Sequence, residues 1–115
     1  MITHFSDLPR TNAPLANGKG TVDATELLSI PDFLGKGRLF KRCILKPGCS
    51  VGGHTHKGDF EVYYILRGEG TYDDNGTLMP ITTGDVALCR DGEHHMLENT
   101  GTEDLEFIAL ILFSN

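Results

Sequence analysis

The chain has 115 residues, of which 39% are apolar and 23% are charged, and it carries a formal net charge of −6. This size allows a single domain that buries its own core without disulfides or a structural metal. The acidic balance argues against nucleic acids and anionic membranes as partners, because both recruit clusters of basic side chains.

The start of the chain and its cysteines predict a cytoplasmic protein. Residues 1–7 contain neither the basic stretch nor the apolar stretch of a signal peptide. No run approaches the ~18 consecutive apolar residues that a membrane-spanning helix needs. Cys43, Cys49 and Cys89 are odd in number and form no CxxC pair, which favours reduced thiols over a disulfide framework.

The first 37 residues are irregular and are predicted to form an N-terminal extension. We expect this extension to pack on the main domain or on a partner subunit. Residues 12–20 are rich in Asn, Pro and Gly, which indicates a loop. Residues 23–28 fit either a helical turn capped by Asp23 or an irregular strand, and the sequence does not decide between the two.

Short β-prone runs separated by turn residues fill the chain from residue 38 to residue 115. The Asn75-Gly76 pair, for example, suits the positive φ angles of a tight hairpin. Strands of this length and spacing predict an all-β domain over residues 38–115, built as a small antiparallel barrel or sandwich. The predicted strands are residues 39–45, 60–67, 71–73, 78–81, 86–89, 94–98 and 105–113.

The most informative feature is a His-x-His pair followed by a glutamate. His54 and His56 are two residues apart, so on an extended strand both imidazoles project from the same face. Glu61 returns to that face if the chain bends at residues 57–59, and His95 is the candidate for a further nitrogen ligand. Imidazoles combined with a carboxylate suit one divalent ion such as Mn, Fe, Ni or Zn. Four such ligands on a six-coordinate ion leave about two positions open.

An isolated His-x-His pair would fit two solvated histidines equally well, but this pair lies within a longer pattern. Residues 48–68 resemble the first motif of the cupin superfamily: Gly, five residues, His-x-His, four residues, Glu, six residues, Gly. Residues 84–99 resemble the second motif, with Arg90 where the family usually has proline. The matching positions are Gly48, His54, His56, Glu61, Gly68, Gly84, Gly92, His95 and Asn99.

The resemblance implies the cupin fold, a small jelly-roll-like barrel also called a double-stranded β-helix, with one metal ion inside. Arg90 would change the shape of one loop but remove no ligand. By strand alternation His94 should face away from the metal, and Leu97 should share the face of His95. The metal ligands implied by the resemblance are His54, His56, Glu61 and His95.

Alternation also predicts which side chains of the strand after the first motif face the metal. If Glu61 points inward, so does Tyr63, whereas Val62 and Tyr64 point outward. Tyr63 is the candidate catalytic residue, as a hydrogen-bond donor or proton relay, although it would equally serve as an aromatic that fills the barrel. The apolar outer face needs cover, which predicts a homodimer.

Three cations precede the first motif, and one of them could enter the barrel. The mixed pattern of charges does not show which one, and solvated exterior positions are favoured for Arg38, Lys41 and Arg42. On that interpretation the sequence offers no dedicated cationic group to bind an anionic substrate.

Cupins include dioxygenases, decarboxylases, isomerases, lyases and ligand-sensing domains, so the fold does not fix the function. The resemblance favours a metal-dependent enzyme that acts on a small oxygen-rich substrate. The alternative is a non-catalytic module that binds or senses a small ligand, and a transcriptional regulator is excluded because no segment fits a helix-turn-helix. Glu61 argues against the thiol dioxygenases, which use three histidines without the glutamate. Val51 stands where oxalate decarboxylase-like enzymes usually carry an arginine that binds the substrate carboxylate. This departure weakens the case for an oxalate-type reaction, although another basic residue could substitute.

Overall fold

The computed structural model describes residues 1–115 and confirms the all-β prediction. Each predicted strand is present, with ends that differ by no more than two residues. Two short 3-10 helices span Phe5–Asp7 and Ile30–Phe33, and no helix is long and apolar enough to cross a membrane. The ten strands are β1 (Arg10–Ala13), β2 (Val22–Glu26), β3 (Gly37–Leu45), β4 (Ser50–Thr55), β5 (Asp59–Arg67), β6 (Glu69–Asp74), β7 (Thr77–Thr82), β8 (Val86–Cys89), β9 (His94–Glu98) and β10 (Leu105–Phe113).

The strands form two antiparallel sheets. The six-stranded sheet has the order β1-β2-β3-β10-β5-β8, and the four-stranded sheet has the order β4-β9-β6-β7. Buried apolar residues from both sheets form one core of 14 residues, so the sheets pack face to face. The arrangement is jelly-roll-like, as predicted, although the two sheets are not hydrogen-bonded into a single closed barrel.

Side-chain alternation along β5 decides what faces the space between the sheets. Tyr63 and Ile65 are 2% and 0% exposed, whereas Tyr64 between them is 45% exposed. Glu61 lies on the same buried face as Tyr63, and Leu97 of β9 is fully buried opposite them. The predicted parity of both strands is therefore confirmed, and it directs the carboxylate of Glu61 into the space between the two sheets.

The N-terminal residues extend the six-stranded sheet. β1 pairs with β2, and β2 pairs with β3, so the undecided residues 23–28 begin as a regular strand. The loop between β1 and β2 is hydrogen-bonded to β4, because the Gly52 amide donates to the carbonyl of Leu15 at 3.1 Å. A Cβ atom at Gly52 would lie 1.9 Å from the carbonyl oxygen of Ala16, so only glycine permits this close approach. The loop thus closes one side of the interior.

Candidate metal centre

The four side chains predicted to bind a metal come together between the two sheets. His54, near the end of β4, is the antiparallel partner of His95 in β9 of the same sheet. Glu61 projects from β5 of the other sheet, and His56 lies in the connection between β4 and β5. The cluster therefore depends on the packing of both sheets against each other.

The donor atoms of the cluster have the spacing of ligands around one ion. All four lie within 4.8 Å of one another. Nε2 of His95 is 3.0 Å from Nε2 of His54 and 3.2 Å from Nε2 of His56. Oε1 of Glu61 is 3.0, 3.1 and 3.6 Å from Nε2 of His95, His56 and His54. For bonds of about 2.1 Å, neighbouring ligands are about 3.0 Å apart in an octahedron and about 3.4 Å apart in a tetrahedron.

Hydrogen bonds at the other ring nitrogens direct the Nε2 lone pairs inward. Nδ1 of His54 is 2.8 Å from the carbonyl oxygen of Gly52, and Nδ1 of His56 is 2.7 Å from the carboxylate of Asp59. Both partners only accept hydrogen bonds, so each Nδ1 must carry the proton. The neutral form of either ring then has its lone pair on Nε2, pointing into the cluster. Lone pairs that face one another at this distance repel, and a cation between them would remove that repulsion.

The hydroxyl group of Tyr72 fixes the third imidazole. It lies 2.8 Å from Nδ1 of His95, and both groups are buried. Tyr72 projects from β6, which is the hydrogen-bonded neighbour of β9 in the four-stranded sheet. Each of the three imidazoles therefore has a partner at Nδ1 that fixes the orientation of its ring, as is usual for metal-binding histidines.

Glu61 controls the charge of the cluster. A hydrogen bond with Glu61 raises the pKa of His54 and that of His56, whereas burial lowers the pKa of His95. Burial on its own would raise the pKa of Glu61, but the hydrogen bonds that the three imidazoles donate from Nε2 when they are protonated outweigh it and hold that pKa far below its usual range. The carboxylate therefore stays negative and suits a cationic ligand.

Asp59 connects the cluster to a cation on the protein surface. One carboxylate oxygen of Asp59 faces His56, and the other accepts a 2.9 Å hydrogen bond from Nε of Arg38. Burial opposes the charge of Asp59, but the hydrogen bonds with His56 and Arg38 outweigh it and lower the pKa of its carboxyl group. Asp59 thus orients His56 and does not reach into the space between the sheets as a free acid.

A cavity of about 220 Å³ adjoins the cluster on the side of Glu61. Tyr63 lines it, and the ring of Tyr63 stacks on that of His95 with 5.1 Å between the ring centroids. The volume is below the roughly 300–1,000 Å³ of sites for drug-sized ligands, so the space suits a small molecule. Most of the wall is apolar, and its polar side chains are Thr11, Lys41, Cys43, Glu61 and Tyr63.

A family model of the cupin domain matches residues 41–111, which is more than half of the chain and includes the whole cluster. The chain belongs to the cupin family. This cupin is 48% identical over 113 residues to the oxalate-binding protein of Thermotoga maritima, with 97% of this chain and 93% of the relative covered.

Two solved structures show the same fold. The crystal structure of a predicted oxalate decarboxylase from Thermotoga maritima superposes with a TM-score of 0.93 and 46% identity, covering 98% of this chain and 99% of that chain. A polyketide cyclase from Streptomyces resistomycificus superposes with a TM-score of 0.75 and 18% identity, covering 100% of this chain and 80% of that chain. The second likeness concerns the fold alone.

The structure brings together every predicted ligand of the cupin site, and it places Tyr63 beside them. His94, as expected, lies outside the cluster, where its Nδ1 is 3.1 Å from the hydroxyl oxygen of Thr55. The contact of Tyr72 with His95 was not predicted from the sequence, because it depends on which strand lies beside β9. The sequence favoured an exterior position for Lys41, and this expectation is wrong because Lys41 lines the cavity.

Proposed function

We propose that this cupin binds one divalent metal ion, from the series Mn, Fe, Ni and Zn, and that the loaded protein binds a small dicarboxylate of the oxalate type. The ligands of the ion would be His54, His56, Glu61 and His95. When bound, the ion would supply positive charge and open coordination positions to the carboxylate oxygens of the small molecule.

The observation that carries this proposal is the convergence of three imidazole nitrogens and a carboxylate at the spacing of metal ligands. His56, Glu61 and His95 are buried, and His54 keeps 28% of its side chain exposed, so the cluster is reachable from solvent on that side. A buried group of this kind without a cation would leave lone pairs facing one another. The donor set suits borderline divalent ions better than the harder Mg²⁺ or Ca²⁺, which prefer ligands that are all oxygen.

The choice of ligand class rests on the cavity and on the relatives. A dicarboxylate such as oxalate is small enough for a cavity of about 220 Å³. A relative with 48% identity along nearly the whole chain is named an oxalate-binding protein. Val51 still stands where oxalate decarboxylase-like enzymes usually carry arginine. This departure weakens the case for a decarboxylase more than it weakens the case for a binding protein.

Binding without turnover is the simpler of the two functions for these residues. The cavity wall contains no carboxyl group other than Glu61 and no imidazole, so few groups there could transfer a proton. Reactions on small acids usually need a positioned general acid or base.

The second candidate is the metal-dependent enzyme that the sequence favours, of the dioxygenase, decarboxylase or isomerase and lyase classes. Tyr63 favours it, because its side chain is buried beside Glu61 and lines the cavity, where a phenol could act as a proton relay. The similarity to the crystal structure described as a predicted oxalate decarboxylase also favours an enzyme that turns over its substrate. The stacking of Tyr63 on His95 fits equally well a structural role, in which the aromatic ring supports the imidazole and takes no part in a reaction.

One set of measurements separates these functions. Elemental analysis of protein purified from its native host would identify the metal, and calorimetry on the Mn²⁺-loaded and the metal-free protein would test oxalate binding. Metal-dependent binding with oxalate recovered unchanged supports the binding protein. Conversion of oxalate that is lost in Tyr63→Phe, with binding retained, supports the enzyme. If the loaded protein does not bind oxalate, the proposed function is wrong.

Cytoplasmic location and a homodimer are proposed on the grounds given by the sequence. All three cysteines are free thiols, and Cys43 and Cys89 are buried, which agrees with a reducing compartment. The net charge of −6 argues against nucleic acids as partners, because the phosphate backbone binds basic side chains.

A further inference from the structure

Lys41 is placed on the inner face of the six-stranded sheet, in the same cross-strand row as Tyr63. Lys41 is the antiparallel partner of Ala109, and Ala109 is in turn the partner of Tyr63. Residues in one such row share a face, and neighbouring strands are about 4.8 Å apart. The methyl group of Ala109 leaves open the space between the lysine and the tyrosine, and all three residues line the cavity.

Lys41 differs from its neighbours on β3 in making no ion pair, although its antiparallel partner on β2 is Glu26, which does not line the cavity. Arg38 pairs with Asp59, and Arg42 pairs with Glu106 on the outer face of the sheet. Lys41 takes part in no ion pair and in no side-chain hydrogen bond in this structure. An ammonium group at the wall of a mostly apolar cavity is therefore available to an anion that enters it.

The charges of the proposed complex balance only if Lys41 is counted. A divalent ion with Glu61 and three neutral imidazoles carries one net positive charge. A doubly charged dicarboxylate would change this to one net negative charge, which is unfavourable in apolar surroundings. Lys41 supplies the single positive charge that makes the assembly neutral, and Lys41 is the only cationic side chain at the cavity wall.

We infer that Lys41 is the specificity-determining residue of this site, and that its ammonium group binds the carboxylate oxygens of a dicarboxylate inside the cavity. Lys41 would thereby bind the carboxylate of the ligand, as an arginine does in oxalate decarboxylase-like enzymes. That arginine corresponds to Val51 on β4, whereas Lys41 lies on β3. It would favour doubly charged acids over singly charged ones. This inference rests on the proposed function and goes beyond it, because it names the residue that selects the ligand.

The test compares the affinity of Mn²⁺-loaded wild-type protein, Lys41→Met and Lys41→Arg for oxalate and for acetate. Hydrogen bonds to charged groups contribute enough that Lys41→Met should bind oxalate about 10–100-fold more weakly. The affinity of Lys41→Met for acetate should fall much less. Lys41→Arg should keep most of the affinity for oxalate because it keeps the positive charge. Lys36→Met is the matched control, since Lys36 is also unpaired but is exposed and does not line the cavity.

Each failure has its own signature in these titrations. If Lys41→Met binds oxalate as tightly as the wild type, the role of Lys41 is wrong while the proposed function stands. An equal loss of oxalate affinity in Lys36→Met would also overturn the role of Lys41, because the effect would then come from the overall charge of the protein. Manganese content is measured in every variant, and a Lys41→Met protein that loses its metal would show that Lys41 supports the ligands instead. If the wild type itself does not bind oxalate, the proposed function fails, and the inference fails with it.

Discussion

The carboxylate of Asp59 accepts a 2.7 Å hydrogen bond from Nδ1 of His56, and its second oxygen is held by Arg38 at 2.9 Å. This pair orients one of the most buried imidazoles of the cluster and increases the basicity of its Nε2. Asp59→Asn replaces the anion with a weaker, neutral acceptor. We expect Mn²⁺ affinity to fall about 10–100-fold, as measured by competition with a chelator of known affinity.

Asp32→Asn is the control for this change, because Asp32 is exposed and its carboxylate accepts a side-chain hydrogen bond from Ser29 alone. That variant should bind Mn²⁺ like the wild type. Circular dichroism should show an intact β-sheet protein in both variants. An unchanged Mn²⁺ affinity in Asp59→Asn would mean that the hydrogen bond to His56 does not tune the site.

Replacement of a single ligand should remove the metal without unfolding the protein. His56→Ala takes one nitrogen donor from the cluster, while the hydrogen bonds of the two sheets do not depend on it. We expect most of the bound metal to be lost in elemental analysis. Added Mn²⁺ should raise the melting temperature of the wild type, because a ligand that binds only the folded state stabilises it, and should not raise that of the variant.

His94→Ala is the matched control for the ligand replacement. His94 is the neighbour of His95 in β9, but its side chain faces the opposite side of the strand and contacts Thr55. It should retain full metal content. Equal metal content in His56→Ala and the wild type would contradict the assigned ligand set.

Metal affinity should fall as the pH falls. A metal ligand must be a neutral imidazole, so protons compete with the ion for Nε2. Glu61 raises the pKa of His54 and of His56, which means that these rings bind protons at a higher pH than free histidine does. Protons therefore begin to displace the metal above the ordinary pKa of histidine, about 6.5. Mn²⁺ affinity measured from about pH 8 to about pH 5 should decrease steadily; a flat profile would exclude competition at these imidazoles.

The strands and the ligand cluster were predictable because their signals are local. Alternation along β5 and the turn residues around it indicate both the strand and its buried face, and Tyr63 and Tyr64 lie as that pattern requires. The spacing of His54, His56 and Glu61 is likewise a property of one short segment. Only His95 had to be found in a distant segment, and there the second motif identified it.

The contacts that the sequence did not reveal depend on register between distant strands. Tyr72 meets His95 because β6 lies beside β9, and these residues are 23 positions apart in the chain. Lys41 lies inside because it is opposite Ala109, whereas the mixed charges along β3 fit either face equally well. The segment after Asp23 was undecided because its few residues carry no clear periodicity, and pairing with β3 makes it a strand.

The outer face of the six-stranded sheet carries an apolar surface along β8, β5 and β10. Tyr64 is the cross-strand partner of Val86 and of Ile108, and Val62 is the partner of Leu88. Val86, Tyr64 and Leu88 are 64%, 45% and 38% exposed. Apolar side chains that are contiguous across strands and exposed to this degree are typical of a protein interface. β8 is also an edge strand of the sheet, with backbone groups free on one side.

We predict that two copies of the chain associate through this outer face, so that the ligand cluster of each copy stays separate and intact. Light scattering over a range of concentrations should give the mass of two chains for the wild type. Tyr64→Glu places a charge in the middle of the apolar surface and should shift the protein to the monomer, with its metal content unchanged. Leu78→Glu is the matched control, because Leu78 is 65% exposed but lies on β7 of the other sheet, and it should remain a dimer. A monomeric wild type at all concentrations would exclude the dimer, and dissociation by both variants would place the interface elsewhere.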